Sequence, residues 1–362
     1  MRKNCLVKPI CFIFIIYTLL FTLPAVSYAE GESDAAPALS DNVQIGSRLW
    51  DLLFGGDNKE EPITLMVGGG VFGVKVKQKY VSVSEAIGVP ALKPGDLILS
   101  INGESVSSSS DVKHIVEQSG GESVTIRALH QGSEVAVEIR PTLKDGKYWL
   151  GISLRDSAAG LGTVTFVDPR TGRFGGLGHG ICDADSGEVI AIDGGDALGV
   201  ILGGIHRGDV GKPGELCGIL TDRDLGDILI NSECGVFGTL SDPSIYGGTE
   251  VAIATKDQVR EGEATIISTL KNGRTAEYKV EIYDIDRDSS GSKSFRVRVT
   301  DDTLKALTGG IVRGMSGSPI IQDGRLVGAV THVLVADPTE GYGIFIENML
   351  NYSNIAAQRN AA

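Results

Sequence analysis

A serine near the C-terminus lies in a glycine-rich segment that could make its hydroxyl a nucleophile. Ser316 follows Gly314-Met315 and precedes Gly317-Ser318-Pro319 and an apolar run. Glycines permit the tight turn that lifts such a hydroxyl out of the backbone and aims neighbouring N–H groups at one point. Attack on a carbonyl carbon needs this arrangement. Ser316 is therefore the candidate nucleophile, and it requires a base from elsewhere in the chain.

Three of the five histidines could supply that base. His179 is flanked by glycines that let other backbone approach closely. His332 lies on a predicted strand after the serine, where a packing role is the plainer interpretation, and His206 lies in another glycine-rich run. We favour His179, with His332 and then His206 as alternatives. Cys182 is a rival nucleophile, although a lone cysteine is more often a small core residue.

The elements that position these residues must come from a chain of 362 residues, 42% of them apolar, which is enough for two or three domains. The chain has 49 glycines and only 6% aromatic residues, which favours short strands joined by glycine turns. From Tyr148 onward, short strand patterns recur and predict an antiparallel sandwich or a pair of barrels. The patterns are Thr163–Val167, Glu188–Ile192, Val251–Ala254, Ala264–Thr269, Glu277–Tyr283, Phe295–Val299, Ser318–Gln322 and Arg325–Val330.

The first 29 residues predict an export signal. They combine basic residues at the start, the apolar run from Ile10 to Leu23, and small residues at Ser27 and Ala29. The run is short for a membrane-spanning helix, and an uncleaved anchor is the alternative. In both cases we expect the body of the protein to lie outside the cytoplasm. Residues 30–61 are acidic and contain Pro and Ser, and they predict a linker with one apolar segment.

Without residues 1–29 the chain keeps 30 basic and 46 acidic residues, a net charge of −16. This acidity argues against nucleic acid and anionic membrane surfaces as partners. Three cysteines would remain, Cys182, Cys217 and Cys234, so at most one disulfide is possible.

Residues 62–144 predict a β-rich domain with one helix. Leu92–Gly103 combines a turn, an alternating strand and an Asn-Gly hairpin turn. Asp111 can cap the helix. The Leu92–Gly103 segment resembles the L-x-P-G-D-x-I-x-x-I-N-G segment of the PDZ domain. The resemblance implies a peptide-carboxylate loop at Val71-Phe72-Gly73-Val74, whose N–H groups would capture a chain terminus.

Two further motifs are rejected. Gly68–Gly73 spells G-x-G-x-x-G, but a strand pattern follows it, and a dinucleotide site requires a helix there. Asp284, Asp286 and Asp288 alternate as in a calcium loop, yet the later glycine and glutamate of an EF-hand are absent. We therefore predict no metal and no cofactor.

The serine segment resembles the G-D-S-G-G-P turn of trypsin-like peptidases. That resemblance implies that Gly314 and Ser316 supply the N–H groups of an oxyanion hole. Together with Gly175–Ile181, Gly309–Ile320 and Ala329–Val333, behind a PDZ-like region and an export signal, the segment is also similar to the SpoIVB peptidases. These are stage IV sporulation serine peptidases of endospore-forming bacteria.

The SpoIVB resemblance implies a trypsin-like double β-barrel over residues 145–362, with His179 as base, Ser316 as nucleophile and Asp301 as orienting acid. It also implies a location between the two membranes around the developing spore. There the enzyme would cut a membrane-bound regulator, so that a late sigma factor is processed. We further predict self-processing in the acidic segment from Glu30 to about Lys59, because proteolysis concentrates in unpaired segments.

The third member of the triad is open at this stage. Asp301 lies only 15 residues before Ser316, whereas in trypsin-like folds the acid usually lies between the barrels. That position would favour Asp222 or Asp224. Two other functions are also open: an extracytoplasmic quality-control protease of the HtrA kind, in which PDZ modules follow the protease, and a secreted PDZ adaptor without catalysis.

Overall fold

The structure is a computed structural model that describes residues 63–246, 248–270 and 273–359. The predicted export signal (1–29) and linker (30–61) lie outside the described residues. No helix in the described part of the chain is long and apolar enough to cross a membrane. The strands and helices, in chain order, are β1 (Thr64–Val67), β2 (Val71–Ala86), β3 (Leu97–Ile101), β4 (Glu104–Ser105), α1 (Ser109–Gln118), β5 (Val124–His130), β6 (Ser133–Ile139), β7 (Thr142–Lys144), β8 (Lys147–Trp149), β9 (Ile152–Val167), β10 (Arg173–Gly176), β11 (Ile192–His206), β12 (Glu215–Ser232), β13 (Gly235–Leu240), β14 (Glu250–Ala252), β15 (Gly262–Thr269), β16 (Thr275–Tyr283), β17 (Phe295–Val299), α2 (Asp302–Thr308), β18 (Pro319–Gln322), β19 (Arg325–Leu334), β20 (Asp337–Phe345) and α3 (Ile346–Arg359).

Six antiparallel strands close a first barrel. β2 pairs with β9 and β11, β11 pairs with β12, β12 with β13, and β13 returns through β10 to β9. Phe72, Phe174 and Ile228 are among the apolar side chains buried inside it. A Cβ at Gly175 would lie 2.5 Å from the ring of Phe166, so glycine is required for this ring to pack there.

Six further strands form a second closed barrel, in the order β15, β16, β17, β20, β19 and β18. The alternation in β16 explains why this sequence forms a barrel strand with one buried face. Tyr278, Val280 and Ile282 are buried in the barrel, and the residues between them face outward. A shared apolar cluster, which includes Phe166 and Phe237 of the first barrel and Ile344 of the second, joins the two barrels. The predicted double β-barrel and mainly β fold are confirmed.

A PDZ domain is inserted into the first barrel. β2 and β9 are each 16 residues long and pair from Val71–Thr163 to Ala86–Ile152. One half of this ladder belongs to the barrel. In the other half, Val81 and Ile152 are buried in a separate core that also contains α1, β3 and β5 residues. α1 begins at its N-cap Ser108, whose hydroxyl accepts from the Asp111 N–H, so Asp111 is the third helical residue and not the cap.

The predicted domain boundaries at 62 and 145 therefore differ from the structure. β1 pairs with β9 of the barrel and the first half of β2 belongs to the barrel, whereas Leu150 and Ile152 belong to the PDZ core. The alternation of β2 correctly indicated a strand. Period-two alternation does not reveal which strands are its partners, and the paired residues of these partners lie about 65 to 125 positions later in the chain.

The predicted peptide-carboxylate loop Val71-Phe72-Gly73-Val74 is wrong. The structure places it within β2, where Gly73 pairs with Leu198 on one side and Leu161 on the other. A strand paired on both sides has no free edge for a peptide. Phe72 and Val74 are buried in the barrel core.

Candidate active site

The serine segment forms the turn that its glycines predict. Gly314 and Gly317 have φ values of 95° and 94°, a region that glycine adopts readily. Between them, Met315 is fully buried in the second barrel and anchors the turn. The Ser316 hydroxyl is half-buried and donates to the Thr331 carbonyl of β19 at 2.7 Å. The nucleophile is thus held on β19 and not in a hydrogen bond to a histidine.

The structure brings His179 to the same part of β19. The rings of His179 and His332 stand 4.8 Å apart, and His332 directly follows Thr331. A Cβ at Gly178 would lie 2.9 Å from the Thr331 side chain, so the flanking glycine is what permits this approach. Of the three candidate bases, His179 and His332 therefore lie at the same part of β19 that the Ser316 hydroxyl contacts. His206 lies instead at the end of β11, paired with Glu215.

Nδ1 of His179 lies 2.9 Å from the Gly180 carbonyl oxygen. That contact fixes the proton on Nδ1 and leaves Nε2 as the acceptor, which is the tautomer a general base needs. Burial lowers the pKa of His179, and the Gly180 carbonyl raises it by less. Burial, with the neighbouring His179 and Lys293, lowers the pKa of His332 to about 4. Both rings are neutral at pH 7.

Two N–H groups of the serine turn are free to stabilise an oxyanion. Within the described ranges, neither the Gly314 nor the Ser316 N–H has an acceptor in the protein. The Arg313 carbonyl accepts from the Leu216 N–H at 2.9 Å. Because the peptide bond is trans, this contact turns the Gly314 N–H the opposite way. The geometry agrees with the predicted roles of Gly314 and Ser316, which stay predictions for catalysis.

Sequence reasoning missed two threonines of β9 that hold the serine turn. The Thr163 hydroxyl donates to the Gly314 carbonyl at 2.8 Å, and the Thr163 N–H donates to the Ser316 carbonyl at 2.9 Å. The Thr165 hydroxyl donates to the Gly317 carbonyl at 2.7 Å. Both threonines are fully buried. Their spacing of two was visible in the sequence, but it could not show that a strand of one barrel faces a turn of the other.

Two cavities lie at the candidate site, one beside the two histidines and one beside the serine turn. One, of about 430 Å³, is lined mainly by apolar atoms and contains His179, His332 and Cys182. The other, of about 370 Å³, is bordered by Glu215–Gly218 and by Arg313 and Gly314. Partial desolvation and the nearby Glu233 raise the pKa of the Cys182 thiol, which makes it a poor rival nucleophile.

The three candidate acids lie elsewhere. The Asp301 carboxylate caps α2 by accepting from the Leu304 N–H at 2.9 Å, and it also accepts from the Lys279 N–H at 3.2 Å. Asp222 is exposed on β12, and Asp224 accepts from the Gly226 N–H. Among the described residues no carboxylate lies within 4 Å of His179. The structure therefore does not bring Asp301 to the base, and its role as orienting acid stays a prediction.

Two six-stranded barrels, with a glycine-flanked serine and a histidine at their junction, define the class of trypsin-like serine peptidases. The family model described as SpoIVB peptidase S55 matches residues 146–350, and a PDZ domain model matches residues 91–129. The chain belongs to the SpoIVB peptidase S55 family. It is a serine endopeptidase and acts on protein substrates.

Similar solved structures include the PDZ domain of an SdrC-like protein from Listeria monocytogenes, at 29% identity. That match covers 22% of this chain and 90% of that chain, with a TM-score of 0.20. The active form of the Rv3671c protease from M. tuberculosis is 11% identical. That match covers 68% of this chain and 86% of that chain, with a TM-score of 0.31. The inactive form of the same protease is also 11% identical, and the match covers 53% of this chain and 81% of that chain, with a TM-score of 0.30. No curated protein matches the chain significantly.

Proposed function

We propose that this endopeptidase acts in sporulation signalling outside the cytoplasm, where it cleaves a membrane-bound regulator and processes its own N-terminal segment. The family assignment supports the sporulation role. The observation that carries the selectivity is the insertion of the PDZ domain into the β2–β9 hairpin. A domain that binds chain ends is thereby built into the catalytic barrel, which favours a few presented substrates over general digestion.

In the proposed reaction, the Ser316 hydroxyl turns from the Thr331 carbonyl toward Nε2 of His179 and attacks the scissile carbonyl carbon. His179 accepts the serine proton and later gives it to the leaving amine. The Gly314 and Ser316 N–H groups stabilise the negative charge that develops on the carbonyl oxygen. Water then hydrolyses the acyl-enzyme by the same groups.

Asp301 enters this proposal through the family resemblance. Its carboxylate would have to leave the Lys279 and Leu304 N–H groups to reach His179. In the structure the Gly180 carbonyl occupies that orienting position on His179.

The peptide-binding role moves to another strand. Within the PDZ domain, residues 152–155 of β9 pair only with β2, among the described strands. The open edge lies toward α1, since the Ser109 N–H donates to the Asp156 carboxylate at 2.8 Å. A strand edge beside a helix can accept an extended chain terminus. We place the peptide groove there.

An active-site serine probe, such as a fluorophosphonate, tests the nucleophile. Ser316→Ala is expected to abolish labelling and peptide cleavage while the fold is retained in circular dichroism. Ser318→Ala is the matched control, because this neighbouring hydroxyl is buried and has no hydrogen-bond partner. Full labelling of folded Ser316→Ala would reject the assignment.

Two further experiments test selectivity and self-processing. Unfolded casein should be digested poorly, and rapid digestion would favour a quality-control protease instead. For self-processing, the intact chain and its Ser316→Ala form are expressed side by side and their N-termini are sequenced. We expect new N-termini between Glu30 and about Lys59 only in the intact chain. Identical N-termini in both would contradict self-processing.

A further inference from the structure

Three side chains that suit a transition metal meet on the β11–β12 hairpin. One ligand atom each from His206, Glu215 and Cys217 lies within 4.8 Å of the other two. Nδ1 of His206 is 2.9 Å from a carboxylate oxygen of Glu215. The mechanism of peptide cleavage uses none of these three groups.

The pairing register explains why they share one face. His206 pairs directly with Glu215, and Cys217 stands two residues further along β12 on the same side. The residue opposite Cys217 is Gly204, where an added Cβ would meet nothing within 4 Å. Space over the thiol is therefore open for an ion.

The backbone that carries these ligands is fixed at the turn between the strands. The Gly208 N–H donates to the Thr308 carbonyl of α2 at 2.8 Å, and Asp209 and Lys212 form a bridge within the turn. On the β12 side, the Leu216 N–H is bound to the Arg313 carbonyl. Zn²⁺ bond lengths of about 2.0–2.3 Å require ligand atoms about 3.5 Å apart, so the three side chains, whose ligand atoms lie within 4.8 Å of one another, would rotate on this fixed backbone to bind the ion.

We propose that His206, Glu215 and Cys217 form a divalent-metal site that prefers Zn²⁺. Thiolate and imidazole ligands select zinc over Mg²⁺ and Ca²⁺, which take oxygen ligands. His206 and Glu215 are 73% and 49% exposed, so an ion can enter from solvent and a water can complete the coordination. The site borders the cavity beside Gly314. Leu216, whose N–H contact with the Arg313 carbonyl orients the Gly314 N–H, lies between the ligands Glu215 and Cys217 in the chain.

Metal binding is measured on the full chain carrying Ser316→Ala, which removes cleavage from the measurement. Calorimetry with Zn²⁺ should give one strong site. Co²⁺ should give a thiolate charge-transfer band in the near ultraviolet, and Zn²⁺ should abolish it. Cys217→Ser and His206→Gln should each weaken Zn²⁺ binding by about tenfold or more. Loss of a residue that only hydrogen-bonds to a metal ligand already lowers metal affinity about 10–100-fold, and loss of the ligand itself lowers it further.

Cys182→Ser is the matched control. Cys182 is exposed, and it lies in the cavity with His179 and His332, where a metal could also bind. We expect Zn²⁺ affinity to be unchanged in this variant. Loss of binding in Cys182→Ser, or full binding in Cys217→Ser and His206→Gln, would overturn the proposal, as would the absence of any Zn²⁺ binding. Because binding is read without activity, these outcomes are independent of the proposed sporulation role.

Discussion

Thr163→Val tests whether the first barrel positions the catalytic turn of the second. The substitution keeps the shape of a fully buried side chain and removes the hydroxyl that donates to the Gly314 carbonyl at 2.8 Å. A buried carbonyl left without its donor costs about 1–3 kcal/mol in the free energy of unfolding. The Gly314–Met315 peptide group is then held less firmly, and the Gly314 Cα joins it to the Arg313–Gly314 peptide group, whose N–H is one of the two oxyanion donors.

The magnitude for catalysis follows from that geometry. Complete loss of an oxyanion donor costs about 10²–10³ in kcat, so a displaced donor should cost about 10–100-fold. Labelling by a fluorophosphonate measures this without knowledge of the scissile sequence, and denaturant unfolding measures stability on the same samples. Thr163→Ser, which restores the hydroxyl, should recover most of the rate.

Thr165→Val is the matched control for Thr163→Val. It removes an equally buried hydroxyl, but its acceptor is the Gly317 carbonyl, which follows the nucleophile. We expect a similar loss of stability with labelling close to that of the unsubstituted enzyme. If Thr163→Val labels as fast as Thr165→Val at equal stability, the bond to Gly314 is structural only and the reasoning is refuted.

Three further predictions concern the base, the acid and the turn. Burial lowers the pKa of His179, and a protonated base is inactive, so kcat/KM should fall with decreasing pH at a midpoint below about 6.5; a midpoint at or above that value would contradict the burial. Asp301→Asn tests the orienting role that the family resemblance implies: kcat should fall by about 10⁴ if the carboxylate reaches His179, and unfolding should become easier, because the amide nitrogen that replaces one oxygen cannot accept from the Lys279 N–H; near-normal kcat would leave Asp301 as a helix cap. Gly317→Ala would place a Cβ 2.0 Å from the Thr163 carbonyl oxygen, so soluble protein should unfold more readily and fail to label, and normal labelling would show that the turn tolerates a side chain.

The serine turn and the histidine were predictable because their glycines are local signals. Gly178 and Gly317 mark places where backbone from a distant segment approaches closely, and the sequence shows the glycine without the partner. The double barrel was predictable from alternation in strands such as β15 to β19.

Other features depend on partners that no local pattern names. The long strands β11 and β12 were mostly not predicted, and β11 is rich in glycine. Asp301 is a helix cap in the structure, and an aspartate before an apolar helix has the same local signature whether or not it also serves a histidine.

The continuous pairing of β2 with β9 has a consequence for how this protein can be divided. A fragment that begins at residue 145 loses β2, one of the six strands of the first barrel. A fragment that ends at 144 loses β9, the strand that completes the PDZ sheet. Neither piece is a module that evolution or an experimenter could move intact. The ladder shifts register between Lys77 and Ser82 and again between Val83 and Glu85. The first shift lies where the barrel half of the ladder meets the PDZ half, so we expect a movement of the PDZ domain relative to the barrel to bend there.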